Sequence, residues 1–166
     1  FNGLRFDGTN DYVLGTLSEL DLATFTAEAW FSTGTVAAAQ YMLIGHGASP
    51  ADNGWSFSQL GGGLRVTFHG VGNYDTVSTP LVINQWYQGL MTLSGTTATF
   101  YLNGQLLESV TTGTLGRSSH KYALGATPGG ATLFNGVIIL ARVWNRVLVA
   151  NEIKRLYQDP YGMILK

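Results

Sequence analysis

The chain has 166 residues, enough for one domain with a sizeable core, and an all-β sandwich can absorb that length in a single core. Only 11% of residues are charged against 45% hydrophobic, and nine basic side chains meet ten acidic ones for a net charge of −1. No basic run is longer than a pair, which excludes the electrostatic footprint of a nucleic-acid binder; cysteine is absent, which excludes disulfides, thiolate metal sites and cysteine nucleophiles.

A surface so poor in charge must be built of Gly, Ser, Thr, Asn and Gln, which suits a rigid β surface that is exposed, packed against neighbours, or both. The apolar runs, such as Gly136 to Ala141, fall far short of the ~20 residues needed to span a bilayer, so no membrane partner is expected. No Asn is followed by the x-Ser/Thr of a glycosylation acceptor. The start at Phe1, with no charged segment ahead of an apolar stretch, fits a trimmed chain or a domain released from a longer precursor.

In chain order, Leu4-Arg5-Phe6 and Tyr12-Val13-Leu14 flank the turn-forming group Asp7 to Asp11. Phe25 to Phe31 alternates apolar and small polar residues as a strand does. Tyr41–Gly45, Trp55–Leu60 and Leu64–Phe68 follow at near-regular spacing, the last two joined as a hairpin through Gly61 to Gly63. Thr76 to Thr79 reads as a short extended piece ended by Pro80. From Trp86 to Val110, three runs rich in apolar and β-branched residues are separated by Ser94 to Thr97 and by Asn103-Gly104. The Asn-Gly pair is the strongest short-range hairpin signal, because both central positions of that turn need positive φ. Tyr122–Gly125 and Gly136–Trp144 complete the strands. Then Val149, Ile153, Leu156 and Tyr157 fall at i, i+4, i+7 and i+8, with Glu152, Lys154 and Arg155 on the other face. This is one short amphipathic helix, stopped by Asp159-Pro160 and expected to plug the sandwich edge. Residues 1–166 read as a single domain.

The order of these pieces carries a resemblance. Leu4 to Val13, Phe25 to Phe31, Gly54 to Phe57, Gln85 to Tyr87, Phe100 to Gly104, Phe134 to Gly136, Arg142 to Leu148 and Glu152 to Tyr157 together resemble the concanavalin A-like lectin/glucanase superfamily in its laminin-G-like branch. The resemblance runs from about Leu4 to Tyr157. It implies a jelly-roll: an all-β sandwich of two curved antiparallel sheets with one short C-terminal helix, and ligand sites on the concave face or in rim loops. The tail Leu156 to Met163 is also similar to endings of laminin-G-like domains in virion proteins, notably of tailed bacteriophages.

The chain departs from the pattern in two places. Where relatives often carry an acidic pair after Phe134-Asn135-Gly136, it has Ile139 and Leu140. A rim calcium site there lacks a hard oxygen ligand, and calcium wants about six to eight; no cofactor is expected and calcium is disfavoured. Where relatives place Ser or Thr before the helix, Val149 cannot accept the amide hydrogen bond. Apolar residues in polar places fit burial against a neighbouring subunit, which marks Ile138, Leu140, Tyr161 and Met163 as a candidate assembly interface. A sandwich strand that is apolar on both faces explains the Ile138–Leu140 run equally well.

Chemistry finds little footing. The superfamily's glucanases set carboxylates at alternating positions of one strand, and the near match Glu19-Leu20-Asp21 lacks the final acid and precedes the strand. Glu28, on an otherwise apolar strand, is a buried hydrogen-bonded acid or, the preferred reading, an outward-facing rim residue. His46, His69 and His120 are isolated, no Gly-x-Ser-x-Gly elbow occurs, and no Lys follows Gly61 to Gly63. An enzyme is not expected, nor a metal site. For binding, His69, Asn73, Tyr74 and Asp75 sit in a predicted loop with an aromatic face, an amide and a carboxylate, the composition of a carbohydrate site; a glycine-rich turn satisfying its own backbone is the alternative. The resemblance makes Trp30, Trp86 and Trp144 structural and puts Trp86 and Phe100 in the core; Trp55 is open. The expected function is a non-catalytic structural or recognition protein on a virion surface, decorating a capsid or belonging to a tail or fibre, with protein neighbours or its own copies as partners. The alternative is a glycan- or protein-binding adhesion module of a secreted or cell-surface protein.

Overall fold

The computed structural model describes residues 3–16, 22–47, 53–76, 81–116 and 121–162. In chain order the strands are β1 (Leu4–Asp7), β2 (Val13–Thr16), β3 (Phe25–Thr33), β4 (Gln40–His46), β5 (Trp55–Leu60) and β6 (Gly63–Phe68). They continue with β7 (Gly72–Asp75), β8 (Trp86–Ser94), β9 (Thr97–Leu102), β10 (Gln105–Thr111), β11 (Lys121–Leu124) and β12 (Asn135–Trp144), and a helix α1 (Ala150–Gln158) closes the chain. A first sheet runs β1-β12-β3-β8-β9-β10 and a second runs β2-β11-β4-β5-β6-β7. Neighbours within each sheet pair antiparallel, as in the jelly-roll the sequence implies.

Alternation builds the core. Phe25, Ala27, Ala29 and Phe31 of β3 and Met91 and Leu93 of β8 point inward from the first sheet. They meet Trp55 and Phe57 of β5 and Leu64, Val66 and Phe68 of β6, all buried. Phe25 stacks on Trp55 with ring centroids 4.5 Å apart, so Trp55 is a core residue. Gly89 leaves room for the neighbouring core side chains: a Cβ there would press on Phe31, Phe57 and Leu64 at 3.1 to 3.5 Å. Each such ring contributes roughly 1.5–3 kcal/mol by leaving water. The meander β8–β9–β10 forms as predicted, with φ of 51° at Asn103 and 74° at Gly104 in the tight turn.

Two expectations change. In β12, register shifts between Ile138 and Leu140, so Ile138 pairs with Phe31 and faces the core while Leu140 pairs with Trp30 and faces out. Ile138 is thus 3% exposed and no assembly contact; the candidate interface loses it because the bulge turns it inward. Second, α1 does not plug an edge. Ile153 and Leu156, with Leu148, pack on Leu90, Tyr101 and Trp144, which cover the outer face of the first sheet. The helix starts without a side-chain cap at Val149, as its sequence implies. Glu152 supplies the reverse contact: its carboxylate accepts from the Val149 N–H at 2.9 Å and from both terminal nitrogens of Arg146 at 2.7 and 2.8 Å. Those bonds, Arg146 first, hold the Glu152 carboxyl at a pKa of about 2.

The segment 72–75 that was expected to be a loop is strand β7, paired with β6 at the edge of the second sheet, and Thr76 is irregular rather than extended. Residues 77–80, Glu19, Asp21, His120 and Met163 lie outside the described residues. Among those described, no helix is long and apolar enough to cross a membrane.

Candidate functional site

The two outer faces of the sandwich differ. On the first sheet, alternation along β3 points Thr26, Glu28 and Trp30 away from the core, but α1 and the turn after it lie over them. Glu28 is fully buried. Its Oε1 accepts from Gln88 Nε2 at 2.7 Å and from Trp30 Nε1 at 3.2 Å, and its Oε2 accepts from Arg142 Nε at 2.7 Å. Arg142 Nη2 completes the ion pair at 2.6 Å, its Nη1 donates to the Pro160 carbonyl at 2.8 Å, and its guanidinium lies 5.1 Å from the Trp144 ring centroid. Tyr157 stacks on Trp30 at 5.8 Å. The preferred reading of Glu28 as a rim residue is therefore corrected. It does point away from the core, but the helix turns that face into an interior, where a carboxylate persists only because Arg142 and the two N–H donors compensate it.

The outer face of the second sheet is polar and not covered by the helix. Register places Met42, Ser58, Arg65 and Asp75 in one row across β4 to β7, and Gly45, Ser56, Thr67 and Asn73 in the next. Gln40, from the start of β4, reaches over this lattice: its Nε2 donates to Ser58 Oγ at 3.0 Å and to Thr67 Oγ1 at 3.4 Å. Thr67 Oγ1 in turn donates to Asn73 Oδ1 at 2.8 Å. Ser56 and Ser58 form a buried floor, and the Ser56 hydroxyl has no hydrogen-bond partner among the described residues. The segment Ala126 to Pro128 closes one side, passing so near Gly45 that a Cβ there would meet the Ala126 carbonyl at 2.8 Å. At the other side Arg65 and Asp75 form a two-pronged pair, Nε to Oδ1 at 2.5 Å and Nη2 to Oδ2 at 2.7 Å. The Asp75 hydrogen bonds raise the Arg65 pKa above its ordinary value. Hydroxyls and amides set out this way offer both donors and acceptors to a ligand rich in hydroxyl groups.

Of the sequence-predicted binding residues, the structure brings two together on this face, Asn73 and Asp75. Tyr74 points the other way: it packs edge-on to Phe68 at 5.6 Å and its hydroxyl accepts the Gly113 N–H at 2.6 Å, which ties β7 to the segment after β10. It is half-buried structural packing, because strand alternation puts it opposite its neighbours. His69 sits in the turn between β6 and β7, its N–H bonded to the Gly54 carbonyl. Gln40, Ser58 and Thr67 were missed; the signal for Ser58 and Thr67 is the alternation of β5 and β6, whose odd and even residues divide between core and face, while Gln40 lies on β4, where a bulge breaks the alternation. Trp86, expected in the core, is 40% exposed, because Tyr87 takes the inward position. Phe100 is fully buried as expected. Of the remaining interface candidates, Leu140 and Tyr161 are half-buried.

Calcium wants several hard oxygen ligands gathered in one place. Among the described residues no three His, Asp or Glu side chains gather. Asp7 Oδ1 already accepts the Thr9 and Asn10 N–H groups at 2.7 and 3.2 Å, which lowers its pKa, and Asp11 Oδ2 accepts the Asp7 N–H at 3.1 Å.

The model of a laminin G family in the concanavalin A-like lectin/glucanases superfamily matches residues 7–154. The chain belongs to that superfamily. No curated protein matches this lectin-like chain in sequence. Among solved structures, the heptameric SAP-like pentraxin of Limulus polyphemus superposes with a TM-score of 0.74 at 16% identity, covering 92% of this chain and 80% of the pentraxin. The binding domain of botulinum neurotoxin serotype G gives 0.72 at 17% identity, covering 95% of this chain and 42% of that one. Trypanosoma rangeli sialidase gives 0.73 at 19% identity, covering 98% of this chain and 28% of the enzyme. At these identities the likeness is one of fold, and the lectin-like chain spans less than half of the toxin domain and of the sialidase.

Proposed function

We propose that this chain is a non-catalytic recognition module that binds a hydroxyl-rich ligand, a surface glycan, across the outer face of its second sheet. The observation that carries this reading is the hydrogen-bonded row Gln40, Ser58, Thr67 and Asn73 over a floor where the buried Ser56 hydroxyl has no hydrogen-bond partner among the described residues. A role outside the cell or on a particle surface goes with it, in keeping with a toxin neighbour whose name is that of a binding domain. Catalysis has no support, since both oxygens of the one buried carboxylate of the β3 face, Glu28, are taken by N–H donors under the helix. Binding is proposed to be calcium-independent, because Ile139 and Leu140 stand where an acidic pair would help hold the ion. A glycan array tests the reading: wild type retains a defined set of oligosaccharides with or without chelator, and Gln40→Ala and Asn73→Ala each weaken retention about 2- to 10-fold, the worth of one net hydrogen bond. Unchanged binding in both variants overturns it.

A second reading is the virion one, in which the domain decorates a capsid or belongs to a tail or fibre. It draws on an open apolar groove of about 410 Å³ beside β1, lined by Leu4, Leu124, Ile139 and Leu140 among others, with Leu4 and Leu14 half exposed nearby. Exposed apolar surface of this kind suits a protein neighbour. Light scattering separates the readings: a stable oligomer dispersed by Leu4→Ser and Leu140→Ser favours assembly, and a monomer at all concentrations removes self-assembly.

A further inference from the structure

Strands β4 to β7, which build the proposed glycan face, contain one arginine, Arg65, and one carboxylate, Asp75. An unpaired guanidinium at the margin of such a face would be its strongest attractor for sulfate or carboxylate groups, because its planar fork matches them two-pronged. Here the fork is spent. Two of the three guanidinium nitrogens, Nε and Nη2, point at Asp75, and the Arg65 side chain is only 17% exposed against 42% for Asp75. An approaching anion therefore meets the carboxylate first, and to take the Nε–Nη2 edge two-pronged it must break two charge-assisted bonds. The remaining groups of the row, Gln40, Ser58, Thr67 and Asn73, are uncharged.

We infer that Asp75 is a specificity-determining residue: it masks Arg65 and makes this face select neutral glycans over sialylated or sulfated ones. The inference rests on the glycan reading of the same face. Replacing Asp75 by Asn keeps the shape of the side chain and one acceptor for Arg65, but leaves the guanidinium charge uncompensated. Substitution is tolerable in the fold, since the exposed Asp75 lies on an edge strand that the Tyr74–Gly113 bond and the Leu64–Thr76 contacts also hold.

The experiment uses array-bound N-acetyllactosamine oligosaccharides, each in neutral, sialylated and sulfated form. It measures the wild-type chain, Asp75→Asn, Arg65→Gln and the double variant, with thermal melting to verify the fold. The wild type is expected to prefer the neutral forms by tenfold or more. Asp75→Asn reduces that preference at least tenfold, Arg65→Gln leaves it equal or larger, and the double variant, which restores the net charge, loses the anionic gain. A wild type that binds neutral forms but shows no preference, or an Asp75→Asn variant that gains nothing for anions, overturns the role of Asp75 while leaving the glycan reading in place. No retention of any form by folded wild type overturns both.

Discussion

Arg142–Glu28 on one outer face of the sandwich and Arg65–Asp75 on the other are both arginine–carboxylate pairs, and they differ in almost everything else. Glu28 and Arg142 are joined across β3 and β12 under the C-terminal helix, with Gln88, Trp30 and the Pro160 carbonyl absorbing their remaining hydrogen bonds. Arg65 and Asp75 are joined across β6 and β7 at a solvent-facing edge. The first pair joins two strands of one sheet, and Arg142 also holds the turn after the helix through the Pro160 carbonyl, so its worth is structural and its surroundings are closed. The second borders a row of hydroxyls and amides that the helix does not cover, where its worth to stability is small and the proposed effect is on what approaches. The same chemistry thus differs between the scaffold face and the proposed recognition face by burial alone.

That contrast breaks first if Arg142→Ala is mild. Removing the cation leaves Glu28 buried without its partner, and a loss of about 3–5 kcal/mol is expected in urea unfolding. Leu156→Ala, which hollows the contact between α1 and Leu90, is expected to cost about 2–5 kcal/mol in the same assay. Tyr74→Phe removes the acceptor of the Gly113 N–H and is expected to cost about 1–3 kcal/mol if that amide finds no water, with glycan binding unchanged because the ring faces inward. Asp75→Asn is expected to change stability by less than about 1 kcal/mol, the range of a partly exposed pair, while altering selectivity.

A pH dependence sharpens the picture of the helix. Glu152 has its carboxyl lowered from 4.5 to about 2 by Arg146 and the Val149 N–H, so its stabilising contribution is present above about pH 4.5 and is lost as pH falls toward 2. The melting-temperature gap between wild type and Glu152→Gln is therefore expected to be constant above about pH 5 and to close between about pH 4.5 and 2. A gap that persists at the acid end contradicts the capping role.

What the sequence made legible follows the range of the interactions. The meander of β8 to β10 is readable because Asn103-Gly104 encodes its own turn within two residues. The strand β7 is not, because Gly70, Gly72 and Asn73 have the composition of a turn; only the alternation Asn73 out, Tyr74 in, Asp75 out betrays an edge strand. Glu28 was legible as pointing away from the core, but its burial depends on Arg142, 114 residues later, and on a helix later still. Ile138 was misread as surface because one bulge, invisible in an apolar run, decides which of Ile138 and Leu140 faces in. At Trp86-Tyr87 the larger ring was assigned to the core, and register gives that place to Tyr87. The proposed binding row was missed for a related reason: Ser56, Ser58 and Thr67 are ordinary strand residues until neighbouring strands set them side by side.

The most direct test of the central claim is an amide-shift titration of the labelled chain with the neutral oligosaccharide that the array retains best. The account predicts saturable shifts concentrated at Gln40, Ser58, Thr67 and Asn73, with α1 and the Glu28 neighbourhood unmoved. Shifts that gather instead around Trp86 or the β1 groove, with the row across β4 to β7 silent, would contradict it.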